Sequence, residues 1–167
     1  MSPEVSLPRF RIDREGDWFS EDGAITHEGI VANLRENLRR EGGSYFIQVG
    51  PRRLPVEVED TPFTVVRVEA DAEGVSVLLN DGTRERLDPS TLSLTEDGVP
   101  YCTVKGGGFE ARLTRAAAYQ LGRLVEYDEA SHQATLVLAG ARYPLVPGRK
   151  SDTYSGDAGA PSQRGPA

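Results

Sequence analysis

Apolar and polar residues alternate with a period of two over most of the chain and change to helical spacing twice, which predicts a β-rich protein carrying two helices. Phe10-Arg11-Ile12-Asp13 alternates as a short strand does, Glu15-Gly16-Asp17 turns the chain, Trp18-Phe19 opens a second strand, and Asp22-Gly23 marks a further turn. Thr26 then reads as the N-cap of a first helix, with Glu28 in the first turn, where the helix dipole favours negative charge. Ile30, Val31, Leu34 and Leu38 recur at helical spacing, Glu36 and Arg40 are placed for an i,i+4 ion pair, and Gly42-Gly43 ends the helix. Strands are expected over 44–49, 54–59 and 63–69, with Pro55 indicating an edge position or a strand start. Asn80-Asp81-Gly82 between 75–79 and 83–87 is a hairpin signal. Residues 88–100 form a looser connection, and strands over 101–105 and 109–113 flank Gly106-Gly107-Gly108. Thr114 caps a second helix running to about residue 125 on an apolar stripe of Ala117, Leu121, Leu124 and Val125, and a closing hairpin joins 134–138 to 142–146.

The order helix, strand, tight turn, Arg, apolar, Pro, apolar occurs twice. The step from Thr26 to Thr114 matches, within one residue, the steps from Arg53 to Arg142 and from Pro55 to Pro144. This repetition predicts an α+β protein of two similar β-rich lobes, each with one amphipathic helix: an N-terminal lobe over 1–69 and a C-terminal lobe over 70–147. Residues 148–167 are Gly, Ser, Pro, Asp and Arg with almost no apolar content, the composition of a disordered tail. Two related halves create a seam, and small-molecule sites favour such seams.

At 167 residues the chain is long enough to bury a core without disulfides or metal. Its one cysteine, Cys102, cannot form an internal disulfide, which fits a reducing compartment. No stretch approaches the roughly 18–20 apolar residues that span a bilayer. The N-terminus has neither a basic region nor an apolar core of the secretory kind, so a cytoplasmic location is expected. A formal net charge of -7 repels phosphate backbones and argues against binding to a nucleic-acid polymer, though not against a local arginine cluster that holds a small anion.

Few residues are spaced for catalysis. His27 and His132 stand apart, Cys102 has no companion, and no Gly-x-Ser-x-Gly elbow occurs, so neither a zinc site nor a serine hydrolase is indicated. Lys105-Gly106-Gly107-Gly108 resembles a phosphate cradle, but the alternating Phe109-Glu110-Ala111-Arg112-Leu113 behind it predicts a hairpin turn rather than a Walker loop. Glu57, Glu59 and Asp60 could do acid–base work only if crowding raised a pKa; an ion pair of Glu57 or Glu59 with Arg112 is the commoner outcome. Arg115, Tyr119 and Arg123 recur every four residues on the second helix, a row able to grip a phosphate or carboxylate and stack a ring. Trp18 is the sole tryptophan, a core residue by default and a pocket residue by exception.

Three segments in order carry a family resemblance: Phe10-Arg11-Ile12-Asp13-Arg14-Glu15-Gly16-Asp17-Trp18, then Val56-Glu57-Val58-Glu59-Asp60-Thr61-Pro62-Phe63, then Phe109-Glu110-Ala111-Arg112-Leu113-Thr114-Arg115 with Tyr119. Together they resemble the bacterial domain of unknown function DUF1285, over about residues 8–147. The resemblance implies a two-lobed α+β fold, a C-terminal lobe similar to a pleckstrin-homology fold, and a nucleotide-like ligand at the junction of the lobes in a signalling role. It implies no defined cofactor, and the triple glycine departs from the usual turn. On this basis Trp18, Asp60, Arg112, Arg115 and Tyr119 are the candidate ligand-binding residues, and no catalytic residue is assigned. A protein-interaction adaptor without a small-molecule ligand is the alternative, resting on strand edges near Pro55 and Pro144.

Overall fold

The computed structural model describes residues 9–138 and 140–147, so the expected tail lies outside the described residues. The chain divides into two compact units between Pro62 and Phe63. The expected boundary after residue 69 falls inside a strand, Phe63–Asp71, whose partners all belong to the second unit.

The first unit begins with β1 (Phe10–Ile12), β2 (Trp18–Ser20) and β3 (Gly23–Ala24), followed by α1 (Glu28–Glu36). It ends with β4 (Leu38–Glu41), β5 (Ser44–Val49) and β6 (Arg52–Val58). The six strands form one sheet in the order β3-β2-β1-β6-β5-β4, antiparallel except where β1 lies parallel to β6. Alternation sets its buried face: Ile12, Trp18, Ile47 and Val56 are buried together with Leu34 of α1. Pro55 sits on β6 just before the stretch that β1 reaches, so its missing N–H breaks no bond to β1.

The first helix is shorter than its apolar spacing predicts and begins one residue later. His27, not Thr26, is the N-cap, its Nδ1 accepting from the amides of Gly29 and Ile30. Asn37 closes α1, its side-chain amide donating to the Asn33 carbonyl at 2.8 Å. The chain then extends into β4, because Leu38 pairs across from Ile47 and both are buried. Arg39 and Arg40 therefore lie on a strand, the Glu36–Arg40 helical pair does not arise, and Gly42-Gly43 forms the β4–β5 hairpin, with Gly42 at φ +61.

The second unit runs through β7 (Phe63–Asp71), β8 (Gly74–Leu79), β9 (Arg84–Arg86), a 3-10 turn at Pro89–Thr91, β10 (Ser93–Leu94), β11 (Pro100–Val104) and β12 (Phe109–Leu113). It continues with α2 (Arg115–Gly122), β13 (Val125–Asp128), β14 (Gln133–Leu138), β15 (Ala141–Pro144) and β16 (Val146–Pro147). One sheet has the order β16-β10-β11-β12-β7-β8-β9, and β13-β14-β15 forms a separate antiparallel sheet. Thr114 caps α2 as its sequence predicts, Oγ1 accepting from the Ala117 amide. The helix stops at Gly122 rather than near 125, because Val125 begins β13 and pairs with Leu136.

The structure carries two repetitions. The one legible in sequence joins a helix to a three-strand meander: α1 with β4–β6, and α2 with β13–β15. Phe46 opposes Pro55 as Thr135 opposes Pro144, and Arg53 pairs with Glu41 as Arg142 pairs with Glu126. The other repetition is larger and lies in the backbone. In β1–β6 and again in β7–β12, two three-strand meanders are joined by a parallel pairing of the first strand with the last. The closing bonds are equivalent: Glu59 donates its amide to the Ile12 carbonyl, and Thr114 donates its amide to the Val65 carbonyl, each at 2.9 Å. In this repetition α1 has only the 3-10 turn as its counterpart, and α2 stands outside it.

The glycine loop after β11 is fixed from both sides. The Lys105 amide donates to both Glu85 carboxylate oxygens, and its Nζ reaches Asp81 at 2.7 Å and Thr83 at 3.0 Å. These bonds commit the Lys105 amide and pair its ammonium group with a carboxylate, so the loop is not arranged as a phosphate cradle. Burial pushes the Asp81 carboxyl up, but hydrogen bonds from Lys105 and Thr83 outweigh it and hold the pKa below the ordinary 3.8. A folded pKa below the unfolded one gives stability that is present above about pH 4 and is lost as pH falls through the folded value. Urea melts taken from pH 6 to pH 2 should show the wild-type midpoint falling across this window. Asp81→Asn should start lower at pH 6 and fall less steeply; equal slopes would mean that Asp81 contributes nothing to the acid limb.

Candidate functional site

The residues singled out from sequence are distributed over both units. In the first, Trp18 on β2 is 1% exposed and meets Phe10 edge-on with ring centroids 6.4 Å apart, and Asp60 is buried in the segment after β6. Glu59, just before it, pairs with Arg11 of the adjoining β1, whose guanidinium also lies over the Phe19 ring. In the second, Arg112 is half-buried on β12 between Tyr101 and Thr64 on the neighbouring strands. Arg115 and Tyr119 stand on α2 directly after that strand, both exposed, Tyr119 by 73%.

Helix α2 owes its place to a short apolar stripe. Ala117 and Leu121 are buried, which turns Arg115, Tyr119 and Arg123 outward at successive turns. The charges around them are largely spent. Arg67 and Arg84 pair with Glu69, Arg86 with Asp71 and Glu73, Lys105 with Asp81, and Arg142 with Glu126, while Arg112 is also engaged. Among the described residues Arg115 and Arg123 form no ion pair. The two arginines of this unit without an ion pair among the described residues thus share one helix face with an exposed tyrosine between them.

A cavity of about 460 Å³ opens beside this face, lined by Val68 and Ala70 of β7 and by Gln120, Arg123 and Leu124. Gln120 spans it, its Oε1 accepting from the Val68 amide at 2.7 Å. Sequence reasoning passes over Gln120, since a glutamine on a polar helix face carries no local signal of a long-range bond. A second cavity of about 450 Å³ lies between β8–β9 and the β14–β15 hairpin, where Arg86 and Tyr143 are among the lining residues. The Arg86 guanidinium there already holds two carboxylates.

Burial, with the Glu85 and Glu110 carboxylates adding to it, pushes the Cys102 thiol up to about 12, so it stays protonated and inert at neutral pH. Among the described residues no group of three His, Cys, Asp or Glu side chains is placed to hold a metal ion. His27 caps α1, and His132 shares a hydrogen bond with the Tyr127 hydroxyl at 3.1 Å. No helix among the described residues is long and apolar enough to cross a membrane.

No family model and no curated protein matches the sequence. Two solved structures match the fold. A DUF1285 family protein from Silicibacter pomeroyi DSS-3 has a TM-score of 0.69 at 22% identity, covering 90% of this chain and 87% of that one. A DUF1285 family protein from Shewanella baltica OS155 has a TM-score of 0.60 at 24% identity, covering 70% of this chain and 91% of that one. The architecture built here from alternating strands and two short helices is therefore the fold of the DUF1285 proteins, the family that the ordered sequence segments resemble.

Proposed function

We propose that this protein is a non-enzymatic binding module that receives an anionic ligand on the outer face of α2. Arg115 and Arg123 supply the charge and Tyr119 a stacking surface. The observation that carries this reading is electrostatic. In a chain of net charge -7, the two second-unit arginines that form no ion pair among the described residues stand at the two ends of one helix, Arg115 in its first turn and Arg123 at its C-cap. Eight residues apart, they sit about 12 Å from each other along the helix axis, which suits an elongated anion such as a nucleoside polyphosphate. Arg112, at the root of the helix, would steer such a ligand by its charge.

Thermal melts against nucleoside mono-, di- and triphosphates test the proposal. The midpoint should rise with the polyphosphates, and Arg115→Ala or Arg123→Ala should weaken binding about tenfold each while leaving the unliganded melt nearly unchanged. An absence of any shift in the wild type, or shifts that survive both substitutions, would remove the basis for the reading. The alternative, a protein-interaction adaptor, is favoured by a different observation, the incomplete pairing of β7.

A further inference from the structure

Strand β7 pairs with β8 as far as Asp71, but with β12 only over Phe63, Thr64 and Val65. Beyond that point its outer edge has no strand partner among the described residues. The direction of the unused groups follows from the ladder. The Leu87 amide donates to the Val75 carbonyl, so Val75 addresses β9, and its cross-strand partner Ala70 turns both backbone groups away from β8. Val68, two residues earlier, faces the same way, as its bond to Gln120 shows. The Val68 carbonyl and the Ala70 amide and carbonyl thus form an open edge that borders the cavity beside α2.

Such an edge is a template for an added strand, and the charges around it select the occupant. Glu69 and Asp71, the acidic residues of this part of β7, are neutralised by Arg84 and Arg86. The uncompensated charge at the cavity is that of Arg123, with Arg115 two turns away on the same helix. The lining is mostly polar, and Ala70 and Leu124 supply its small apolar part. We infer that the open edge of β7 accepts an extended acidic segment of a partner protein as an added strand. The backbone of that segment bonds Val68 and Ala70, an apolar side chain rests on Leu124, and a carboxylate meets Arg123. Gln120 occupies the place of the missing strand's carbonyl and gives it up on binding. This inference rests on the reading of α2 as an anion-receiving face and names the class of partner.

A short fluorescein-labelled peptide alternating valine and glutamate, with a valine–lysine counterpart, provides the probe. Anisotropy should show binding of the glutamate peptide alone. At saturation the Ala70 amide should exchange with deuterium about tenfold more slowly, and Arg123→Glu should weaken binding about tenfold or more. Ala70→Pro should do the same, since it removes an N–H on the open side and none that β8 uses. Should A70P fail to fold, the exchange of the Ala70 amide in the wild type decides the matter. If the peptide binds with Ala70 exchange unchanged, it lies on the helix alone; the edge inference is then overturned while the anion-receiving face stands. If nucleotides raise the melting midpoint but the peptide does not bind, the partner class is wrong. Self-association abolished by A70P would give the edge to a second copy of this chain and likewise overturn the inference.

Discussion

Trp18→Ala should destabilise the protein by about 3–5 kcal/mol, the cost of emptying a large, closed aromatic site, and Trp18→Phe should cost much less. The indole is 1% exposed and stands across the β1–β2 pair from Ile12, which is fully buried. Little of the surroundings can collapse into the space that alanine would leave. The indole N–H, however, finds no acceptor in the interior. A buried donor without a partner costs about 1–3 kcal/mol, so phenylalanine gives back part of what it loses in volume. Urea denaturation followed by circular dichroism measures both variants without relying on the fluorescence that each removes. The same pair separates the two roles open to Trp18. As a core residue it leaves any nucleotide-induced melting shift intact in W18F. A Trp18→Ala variant that stays within about 1 kcal/mol of wild type and loses the ligand shift would make it a ligand residue instead.

Much of this fold can be read from the chain because its instructions are local. Alternation places most strands, Asn80-Asp81-Gly82 turns β8 into β9, Thr114 caps α2, and the Arg-x-Pro repeat marks equivalent strands that the structure pairs in the same register. The misses share a cause. Leu38 continues the helical stripe begun by Leu34, yet it belongs to β4 because Ile47 lies opposite it, and that partner is invisible in a local window. Val125 extends the apolar stripe of α2 and belongs to β13 for the same reason, with Leu136 as its partner. The larger repetition is hidden more deeply. Arg11 corresponds to Thr64 and Glu57 to Arg112, so charge and size are not repeated, while the parallel pairing and its closing amide bond are. At the candidate site, the four-residue rhythm of Arg115, Tyr119 and Arg123 was legible. The open edge of β7 was not, because it depends on where β12 stops.

Leu121→Ala should cost about 2–5 kcal/mol and should remove ligand binding along with it. At eight residues, α2 is too short to persist without tertiary support, so its apolar stripe must hold it. Of the residues in that stripe, Ala117 offers a single methyl group, and Leu121, 2% exposed, offers the large side chain. Shortening Leu121 leaves a cavity and frees the helix to shift against β7. The Gln120 bond to the Val68 amide then loses its fixed geometry, and Arg115 and Arg123 lose their common bearing. Tyr119→Ala is the control: at 73% exposure it should change stability by no more than about 0.5 kcal/mol while weakening binding through loss of the ring. Denaturation midpoints, with nucleotide and peptide binding measured well below them, separate the two effects. If Leu121→Ala stays within about 1 kcal/mol of wild type and binds as before, α2 is anchored by something other than its stripe. The arginine row would then owe its geometry to another part of the chain, and the link from sequence periodicity to ligand face would have to be rebuilt from there.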